Sequence, residues 1–253
     1  MGGYFTEKTH GGDPTGARGG WRGVNATPAV RRTVRIMQIT HLGHACLLLQ
    51  YSRARIVIDP GCFSDYADLT GLDAVLITHQ HPDHVEIEKI GDLLAANPGV
   101  ALHVDPDTAV LLADRGIDAV RTVAGQQFPV ADVTVTPVGV EHALIHDYVP
   151  RIGNVGLLLQ ADGERSVFHP GDALDAPLPA QVDVLALPLS APWAAVRETI
   201  AFVRRVEPSS VVPIHDALLS EIGRAGYLGH VAQFGADGGI EVRDLSDGEP
   251  GQF

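Results

Sequence analysis

Short apolar runs separated by turns constrain the fold of this chain more than any other feature of its 253 residues. Runs of this length, bounded by glycine and polar residues, are typical of β-strands. The run at 73–78 is apolar through its middle, as in a strand buried on both faces. The predicted strands are VRIMQI, CLLLQY, ARIVID, DAVLIT, ALHV, VTVTPV, NVGLLLQ, RSVFHP, VDVLALP and SSVVPI.

Helices are predicted between some of these strands, at Glu86 to Ala95, Asp107 to Arg115 and Trp193 to Val206. Each half of the chain begins with consecutive strands and closes with strand-and-helix units. Two such halves predict an α/β fold in which two sheets pack face to face and helices cover the outside.

The composition narrows the classes of function. The formal net charge is −13, whereas nucleic-acid-binding domains usually present a basic face, so we expect no nucleic-acid partner. Cys46 and Cys62 are the only cysteines and form no CxxC pair, which disfavours a thiolate zinc site and a disulfide framework. No stretch approaches the roughly 20 apolar residues of a membrane span, so no membrane association is expected.

Residues 1–36 are glycine-rich and predominantly basic, and they are predicted to be a disordered leader. The paired arginines at 31–32 are followed by Arg35 and His41 rather than by the apolar stretch of an export signal. Met37 opens the ordered pattern and is either an alternative translation start, which would leave the leader untranslated, or a strand residue. We expect a single domain over 37–253 and a cytoplasmic location.

Histidine and aspartate side chains that could bind metal lie at or just after the ends of predicted strands. Side chains at several rigid strand ends can converge on one cleft, which is the geometry that a metal site requires. Neutral imidazoles and carboxylates suit zinc, and also iron or manganese. The candidates are His79, His81, Asp83 and His84 after DAVLIT, Asp59 after ARIVI, His142 after VTVTPVGVE, His169 and Asp172 after RSVF, and His215 after SSVVPI.

The heptapeptide THQHPDH, at 78–84, matches the T-H-x-H-x-D-H motif of the metallo-β-lactamase superfamily. IDPG at 58–61 matches that family's upstream aspartate motif, and His142, Asp172 and His215 follow in the family's order. The resemblance runs from about Met37 to His230 and is greatest to small single-domain hydrolases around the ascorbate-6-phosphate lactonase-like branches. It implies a four-layer αββα sandwich, in agreement with the strand pattern.

The resemblance also implies a site for two divalent metal ions, most typically Zn²⁺, with Mn²⁺ or Fe as alternatives. His79, His81 and His142 would hold one ion, and Asp83, His84 and His215 the other, while Asp172 would bridge both. A hydroxide between the metals would be the nucleophile, because bound divalent metals lower the pKa of water.

Other residues have less specific predicted roles. Asp83 and His44 are the candidate catalytic residues, with His44 either a proton donor or a packed histidine. Asp59 either orients metal ligands from behind or is a simple turn residue, and His169 either supports the ligands or bonds a nearby backbone group. Trp193 and Tyr148 are candidate pocket residues, and the roles of Cys62 and His146 stay open.

Departures from other branches of the family narrow the expected activity. Asp172 stands where β-lactamases of this fold usually place a cysteine, and only a short segment follows His215, where glyoxalase II relatives carry a helical domain. We therefore expect a hydrolase of a small ester, lactone or phosphodiester, with an anionic substrate favoured by the positive charge of the metals. The alternative is a metal-binding sensor or scaffold without turnover.

Overall fold

The computed structural model describes residues 35–253, which form two mixed seven-stranded sheets and four α-helices. The predicted leader, except for Arg35 and Ile36, lies outside this range. The first sheet contains β1 (Gln38–Gly43), β2 (Cys46–Gln50), β3 (Arg55–Ile58), β4 (Ala74–Ile77), β5 (Ala101–Val104), β6 (Val120–Arg121) and β14 (Gly251–Gln252). The second contains β7 (Phe128–Val130), β8 (Val133–Val138), β9 (Gly156–Gln160), β10 (Val167–His169), β11 (Val184–Pro188), β12 (Ser210–Ile214) and β13 (Glu241–Val242).

The two sheets share one plan, with antiparallel strands at one side and parallel strands at the other. The strand orders are β14-β1-β2-β3-β4-β5-β6 and β13-β12-β11-β10-β9-β8-β7. Strands β3 to β6 run parallel, and so do β10 to β13. Parallel neighbours need crossover connections. Helices provide four of these: α1 (Ile90–Ala96), α2 (Pro106–Ala113), α3 (Val196–Val206) and α4 (Glu221–Phe234).

The main core lies between the sheets and follows from the alternation of side chains along each strand. Leu47 and Leu49 of β2 are fully buried and face the second sheet, where Leu157 and Leu159 of β9 face back toward them. Burial of this kind stabilises by about 1.5–3 kcal/mol for each large aliphatic side chain.

The strand residues between these face outward and pack against the helices. Val57, Val75 and Ile77 of the first sheet pack in one cluster with Ile90 of α1 and Leu112 of α2. On the second sheet, the outer cluster contains Leu158, Leu185, Phe202 of α3 and Val231 of α4. The molecule is therefore layered helix, sheet, sheet, helix, and the predicted four-layer αββα sandwich is confirmed.

Several elements differ from the sequence-based predictions. Helix α1 begins at Ile90 rather than Glu86, and α3 begins at Val196 rather than Trp193. Helix α4 was not predicted, because its three glycines lower helix propensity and Val231 is its one fully packed residue. Strands β6, β7, β13 and β14, which have two or three residues each, were also not predicted. No helix among residues 35–253 is long and apolar enough to cross a membrane.

One edge of the sandwich collects the carboxyl ends of the parallel strands from both sheets. Hydrogen bonds join the sheets there: the His215 N–H donates to the His44 carbonyl at 2.8 Å, and the Val155 N–H donates to the Thr78 carbonyl at 2.9 Å. The loops that follow these strand ends are consequently held in place by both sheets.

Candidate metal centre

The strand-end histidines and aspartates gather into two adjacent clusters at this edge. In each cluster, one ligand atom from every member lies within 4.8 Å of the others. The first cluster is His79, His81, His142 and Asp172, and the second cluster is His44, Asp83, His84 and His215.

The first cluster joins the loop after β4 to loops of the second sheet. His79 Nε2 and His81 Nδ1 lie 3.0 Å apart. His142 Nε2 lies 3.2 Å from Asp172 Oδ2, and His79 Nε2 lies 3.9 Å from the same oxygen. The spacing of two residues between His79 and His81 thus lets both rings approach one point.

The second cluster has a carboxylate of its own, Asp83. Its Oδ2 is 3.1 Å from His44 Nε2 and 3.6 Å from His215 Nε2. His84, one residue further along the chain, is fully buried, whereas the Asp83 side chain is 23% exposed. Asp83 is therefore the member of this cluster that solvent reaches.

Asp172 lies between the clusters and contacts both. Its Oδ1 is 3.2 Å from His84 Nε2, and its Oδ2 is 3.2 Å from His142 Nε2 and 3.2 Å from His215 Nε2. Oδ2 therefore lies between histidines of both clusters and Oδ1 faces the second cluster, so two cations could share this carboxylate.

Three histidines of the clusters share one hydrogen-bonding arrangement. In each ring, Nδ1 faces an oxygen acceptor outside the cluster, which assigns Nδ1 as the protonated nitrogen and leaves the Nε2 lone pair free. The acceptors are Asp59 Oδ2 for His84 at 2.7 Å, the Ala143 carbonyl for His142 at 2.6 Å and the Ser190 carbonyl for His215 at 2.8 Å.

The same three Nε2 lone pairs face the carboxylate of Asp172, which is itself an acceptor. His84 Nε2, His215 Nε2 and Asp172 Oδ1 are buried and have no hydrogen-bond partner among residues 35–253. Buried acceptors facing one another are costly unless a proton or a cation lies between them. The donor set of imidazole nitrogens and carboxylate oxygens suits Zn²⁺, Mn²⁺ or Fe, so the residues present fit divalent metal ions.

The pKa values of His79 and His81 are shifted in the opposite direction to those of His84 and His215, and burial lowers that of His44. Burial lowers the pKa of His79 well below its usual value, and burial with the nearby His142 lowers that of His81. Burial also acts to lower the pKa of His84, but Asp172 and Asp59 outweigh it and raise that pKa well above its usual value. The charge of Asp172 likewise overcomes burial and raises the pKa of His215.

The carboxylates of the clusters stay ionised. Burial acts to raise the pKa of Asp83, but the hydrogen bond from His44 and nearby histidines lower it to about 2. Asp172 is fully buried, yet His84 and His215 hold its pKa well below the usual value. Both aspartates can therefore act as anionic ligands at neutral pH.

Asp59 lies directly behind the clusters and is fully buried. Its carboxylate accepts from the Thr78 N–H at 2.8 Å, from the Thr78 hydroxyl at 2.7 Å and from His84 at 2.7 Å. Because the Thr78 hydroxyl donates its proton to Asp59, its oxygen is the acceptor for Nδ1 of His79 at 3.1 Å. One aspartate thus orients a histidine in each cluster, directly or through Thr78.

Two glycines of the predicted motifs permit close backbone approach. A Cβ at Gly61 would lie 1.9 Å from the Asp83 carbonyl oxygen, so IDPG is tied to the loop that carries Asp83. A Cβ at Gly171, whose φ is +59°, would lie 2.2 Å from Asn154 Oδ1. Any side chain at either position would displace a metal-cluster loop.

Strained backbone also concentrates at this edge. His44, Asp59 and His215 have φ values of 51°, 51° and 58°, in the left-handed region that non-glycine residues rarely adopt. The hydrogen bond from the His215 N–H to the His44 carbonyl joins the two sheets and holds both residues in that conformation. The surrounding structure therefore over-determines their orientation, as is common where geometry serves a function.

Two further histidines of the sequence analysis have well-defined partners. His169 is fully buried, donates from Nε2 to the Ala45 carbonyl at 2.9 Å and lies 3.8 Å from Asp59. His44 accepts from the Ala217 N–H at Nδ1, at 3.3 Å, so its Nε2 carries the proton that it donates to Asp83. Both nitrogens of His44 are consequently engaged by the protein.

Trp193 contacts a cluster residue directly, whereas the other candidates form no contact with a cluster side chain among the described hydrogen bonds and ring contacts. Its Nε1 donates to Asp172 Oδ2 at 3.0 Å. His146 and Tyr148 are exposed and stack loosely on each other, so the chain brings His142, not His146, to the first cluster. Cys62 is an exposed free thiol on the loop that precedes Phe63.

Sequence reasoning missed Asn154 and the role of Thr78. Asn154 is fully buried, accepts from the Asp172 N–H at 2.9 Å and donates to the Pro170 carbonyl at 2.9 Å, which fixes the HPGD turn. A polar residue opening an otherwise apolar strand, as in NVGLLLQ, was the available signal. Thr78 lies within the heptapeptide motif, and its hydroxyl bonds were not readable from the pattern.

The geometry agrees with comparisons to known proteins. A family model described as beta-lactamase superfamily domain matches residues 38–215. Protein Rv0786c of Mycobacterium tuberculosis is 42% identical over 200 residues, covering 78% of this chain and 92% of that protein. The UPF0173 metal-dependent hydrolase RL2074 of Rhizobium johnstonii is 32% identical over 160 residues, covering 54% of this chain and 63% of that protein.

A solved structure supports the fold alone. Igni18, a metallo hydrolase of the hyperthermophilic archaeon Ignicoccus hospitalis, superposes with a TM-score of 0.67 at 22% identity, covering 87% of this chain and 99% of that one. The narrower resemblance to the ascorbate-6-phosphate lactonase-like branch stays a prediction. The family model matches most of the chain, and a relative is 42% identical to it. The chain therefore belongs to the metallo-β-lactamase superfamily.

Proposed function

We propose that this protein is a metal-dependent hydrolase that holds two divalent cations, one in each cluster, with Asp172 between them. One observation carries the proposal. Imidazole lone pairs on three separate loops are buried around the carboxylate of Asp172, where they face another acceptor or find no hydrogen-bond partner in the described part of the chain. Relatives named as metal-dependent hydrolases support the same class of activity. Zn²⁺ fits this donor set best, with Mn²⁺ or Fe as alternatives.

The protein's own residues would hold and orient these ions. His79, His81 and His142 would bind the first, and Asp83, His84 and His215 the second. When bound, such ions supply a water nucleophile at neutral pH and polarise the bond under attack.

His44 acts through Asp83 in this proposal. With Nδ1 engaged by a backbone N–H, its Nε2–H is directed to Asp83, so it fixes one carboxylate oxygen and keeps that carboxylate ionised. A proton donor to substrate would need an N–H that no protein group already binds. The contacts of His44 therefore support a positioning role over a proton-donating one.

The charge of the site selects the substrate class. Two divalent cations bring more positive charge than Asp83 and Asp172 neutralise, so the loaded site attracts anions although the chain as a whole carries −13. A small ester, lactone or phosphodiester that bears a carboxylate or phosphate fits this field.

Elemental analysis of the purified protein, paired with turnover of bis-p-nitrophenyl phosphate and of a lactone panel, tests the proposal. We expect about two metal equivalents per chain and turnover that a chelator abolishes and added metal restores. His230→Ala, at an exposed histidine on α4, is the matched control and should leave both readouts unchanged. Failure to bind metal after reconstitution would contradict the proposal. Tight metal binding without turnover on any ester, lactone or phosphodiester would favour a sensor or scaffold.

A further inference from the structure

A cavity of about 440 Å³ lies between α3 and the loops that follow His142 and Asp172. Its apolar walls come from the loop after His142, the loop after Asp172 and the outer face of α3. They include Leu144, Leu174, Trp193, Ala201 and Phe202. Small-molecule sites are typically concave, mostly apolar and of this size.

Trp193 connects this cavity to the metal clusters. Its indole forms a wall of the cavity, and its Nε1 donates to Asp172 Oδ2 at 3.0 Å. The ring centroid of Trp193 lies 5.9 Å from that of His142 and 6.2 Å from that of His215. The indole of Trp193 therefore borders both the clusters and the cavity.

The charged residues of the wall are largely occupied by the protein itself. Arg151 pairs with Glu141 at 2.7 Å and donates to the His142 carbonyl at 2.6 Å. Arg205 donates to the carbonyls of the loop at 174–176 and lies over the ring of Phe202.

The two acidic residues of the wall also leave few polar groups for a ligand to bind. Glu198 accepts from the Ala195 N–H and from Arg197. Asp175 is exposed to water. What remains for recognition is apolar surface, chiefly the indole of Trp193 and the side chains of Leu144 and Leu174.

We propose that this cavity binds an apolar substituent of the substrate, a short alkyl chain or a ring attached to the group that is hydrolysed at the metals. The inference rests on the proposed function and narrows its substrate class to esters, lactones or phosphodiesters with an apolar arm. The anionic end lies at the clusters, and the apolar arm packs against Trp193 and Leu174.

Binding of simple carboxylates tests the cavity without any turnover. Trp21 and Trp193 are the two tryptophans of the chain, so Trp21→Phe leaves Trp193 as the sole indole and its fluorescence as the readout. Zinc-reconstituted Trp21→Phe protein is titrated with acetate, butanoate, hexanoate and benzoate. We expect affinity to rise by up to about fourfold for each added methylene, because each buried methylene contributes a similar transfer free energy.

A cavity-filling variant ties the rise in affinity to this place. Ala201 lies on the exposed side of α3 and lines the cavity, so Ala201→Phe fills it without touching the core. Ala95→Phe, at an exposed position of α1 on the other sheet, is the matched control. Ala201→Phe should abolish the dependence on chain length and leave acetate binding unchanged, whereas Ala95→Phe should preserve both.

The outcomes separate the cavity from the metal centre. Equal affinity across the series on zinc-loaded protein, or a gradient that survives Ala201→Phe, would overturn the cavity assignment and leave the metal proposal intact. Absence of bound zinc would overturn both.

Discussion

The two clusters of the metal centre are built from similar ligands but are electrostatically different. In the first, burial dominates and lowers the pKa of His79 and His81. In the second, carboxylates outweigh burial and raise the pKa of His84 and His215. His79 and His81 are therefore neutral imidazoles ready for a cation, whereas the second cluster has a carboxylate of its own but lets protons compete for His84 and His215.

The difference has a structural origin in the carboxylates near each ring. His79 bonds the Thr78 hydroxyl and lies 3.9 Å from Asp172, whereas His84 and His215 each lie 3.2 Å from an oxygen of Asp172 and His84 also donates to Asp59. A carboxylate close to a ring raises its pKa more than a neutral partner does. The second cluster also contains Asp83, which is fixed by His44. Two sites that share one bridging residue can thus differ in affinity.

Removal of the bridging carboxylate should have the largest effect because both clusters lose a ligand. We expect Asp172→Ala to lose about one metal equivalent and about 10³-fold or more in kcat/KM. Elemental analysis and steady-state kinetics on the same preparation measure both. Asp114→Ala, at an exposed aspartate that ends α2, is the control. Two retained equivalents with an unchanged rate would rule out the bridging role.

Loss of the His44 contact should weaken one cluster and spare the other. Because His44 has a φ of 51°, we choose His44→Asn, since asparagine tolerates the left-handed region better than alanine does. Residues that orient metal ligands typically contribute 10–100-fold in affinity, so we expect the weaker of two zinc affinities to fall by about that factor. Stepwise zinc titration by calorimetry measures this. An equal loss at both steps would show that His44 supports the whole edge rather than Asp83.

Acidification should empty the second cluster first. A histidine with a raised pKa takes up its proton at higher pH as the pH falls, so His84 and His215 are protonated before His79 and His81, and each proton displaces metal. Equilibrium dialysis over a pH series, followed by elemental analysis, should show two steps. Asp83→Ala protein should retain only the step at lower pH, and loss of both ions in one step would contradict the difference between clusters.

The layered fold and the grouping of the candidate ligands at one edge were largely predictable from the sequence. Successive leucines of CLLLQ and GLLLQ point to opposite faces of their sheets, and both faces are buried. Asp59 and His79 follow neighbouring parallel strands, so they lie at the same edge of the sheet. Strand patterns alone do not say which loops meet. The order of HxHxDH, His142, Asp172 and His215 along the chain, which matches that of the family, predicted that these four segments lie together.

The remaining features depend on backbone positions and side-chain directions that residue types do not encode. The Ser190 and Ala143 carbonyls assign two histidine tautomers, yet any residue at those positions would supply the same oxygen. Trp193 was a candidate only for the pocket, and its bond to Asp172 depends on the path of the loop before α3. Helix α4 was not predicted because its glycines lower the helix propensity of the segment. Packing of Val231, Tyr227 and Leu228 against the second sheet's outer cluster offsets this cost in free energy.

Loss of the indole hydrogen bond should give the smallest effect and change both clusters alike. Trp193→Phe keeps an aromatic wall but removes the donor to Asp172 Oδ2, the oxygen that also lies 3.2 Å from His142 and His215. One hydrogen bond contributes about 1 kcal/mol, so we expect about a fivefold fall in kcat/KM. Both zinc affinities should shift together, in contrast to His44→Asn. A shift confined to one step would mean that Asp172 is not shared equally, and the bridging geometry would need to be reassigned to a single cluster.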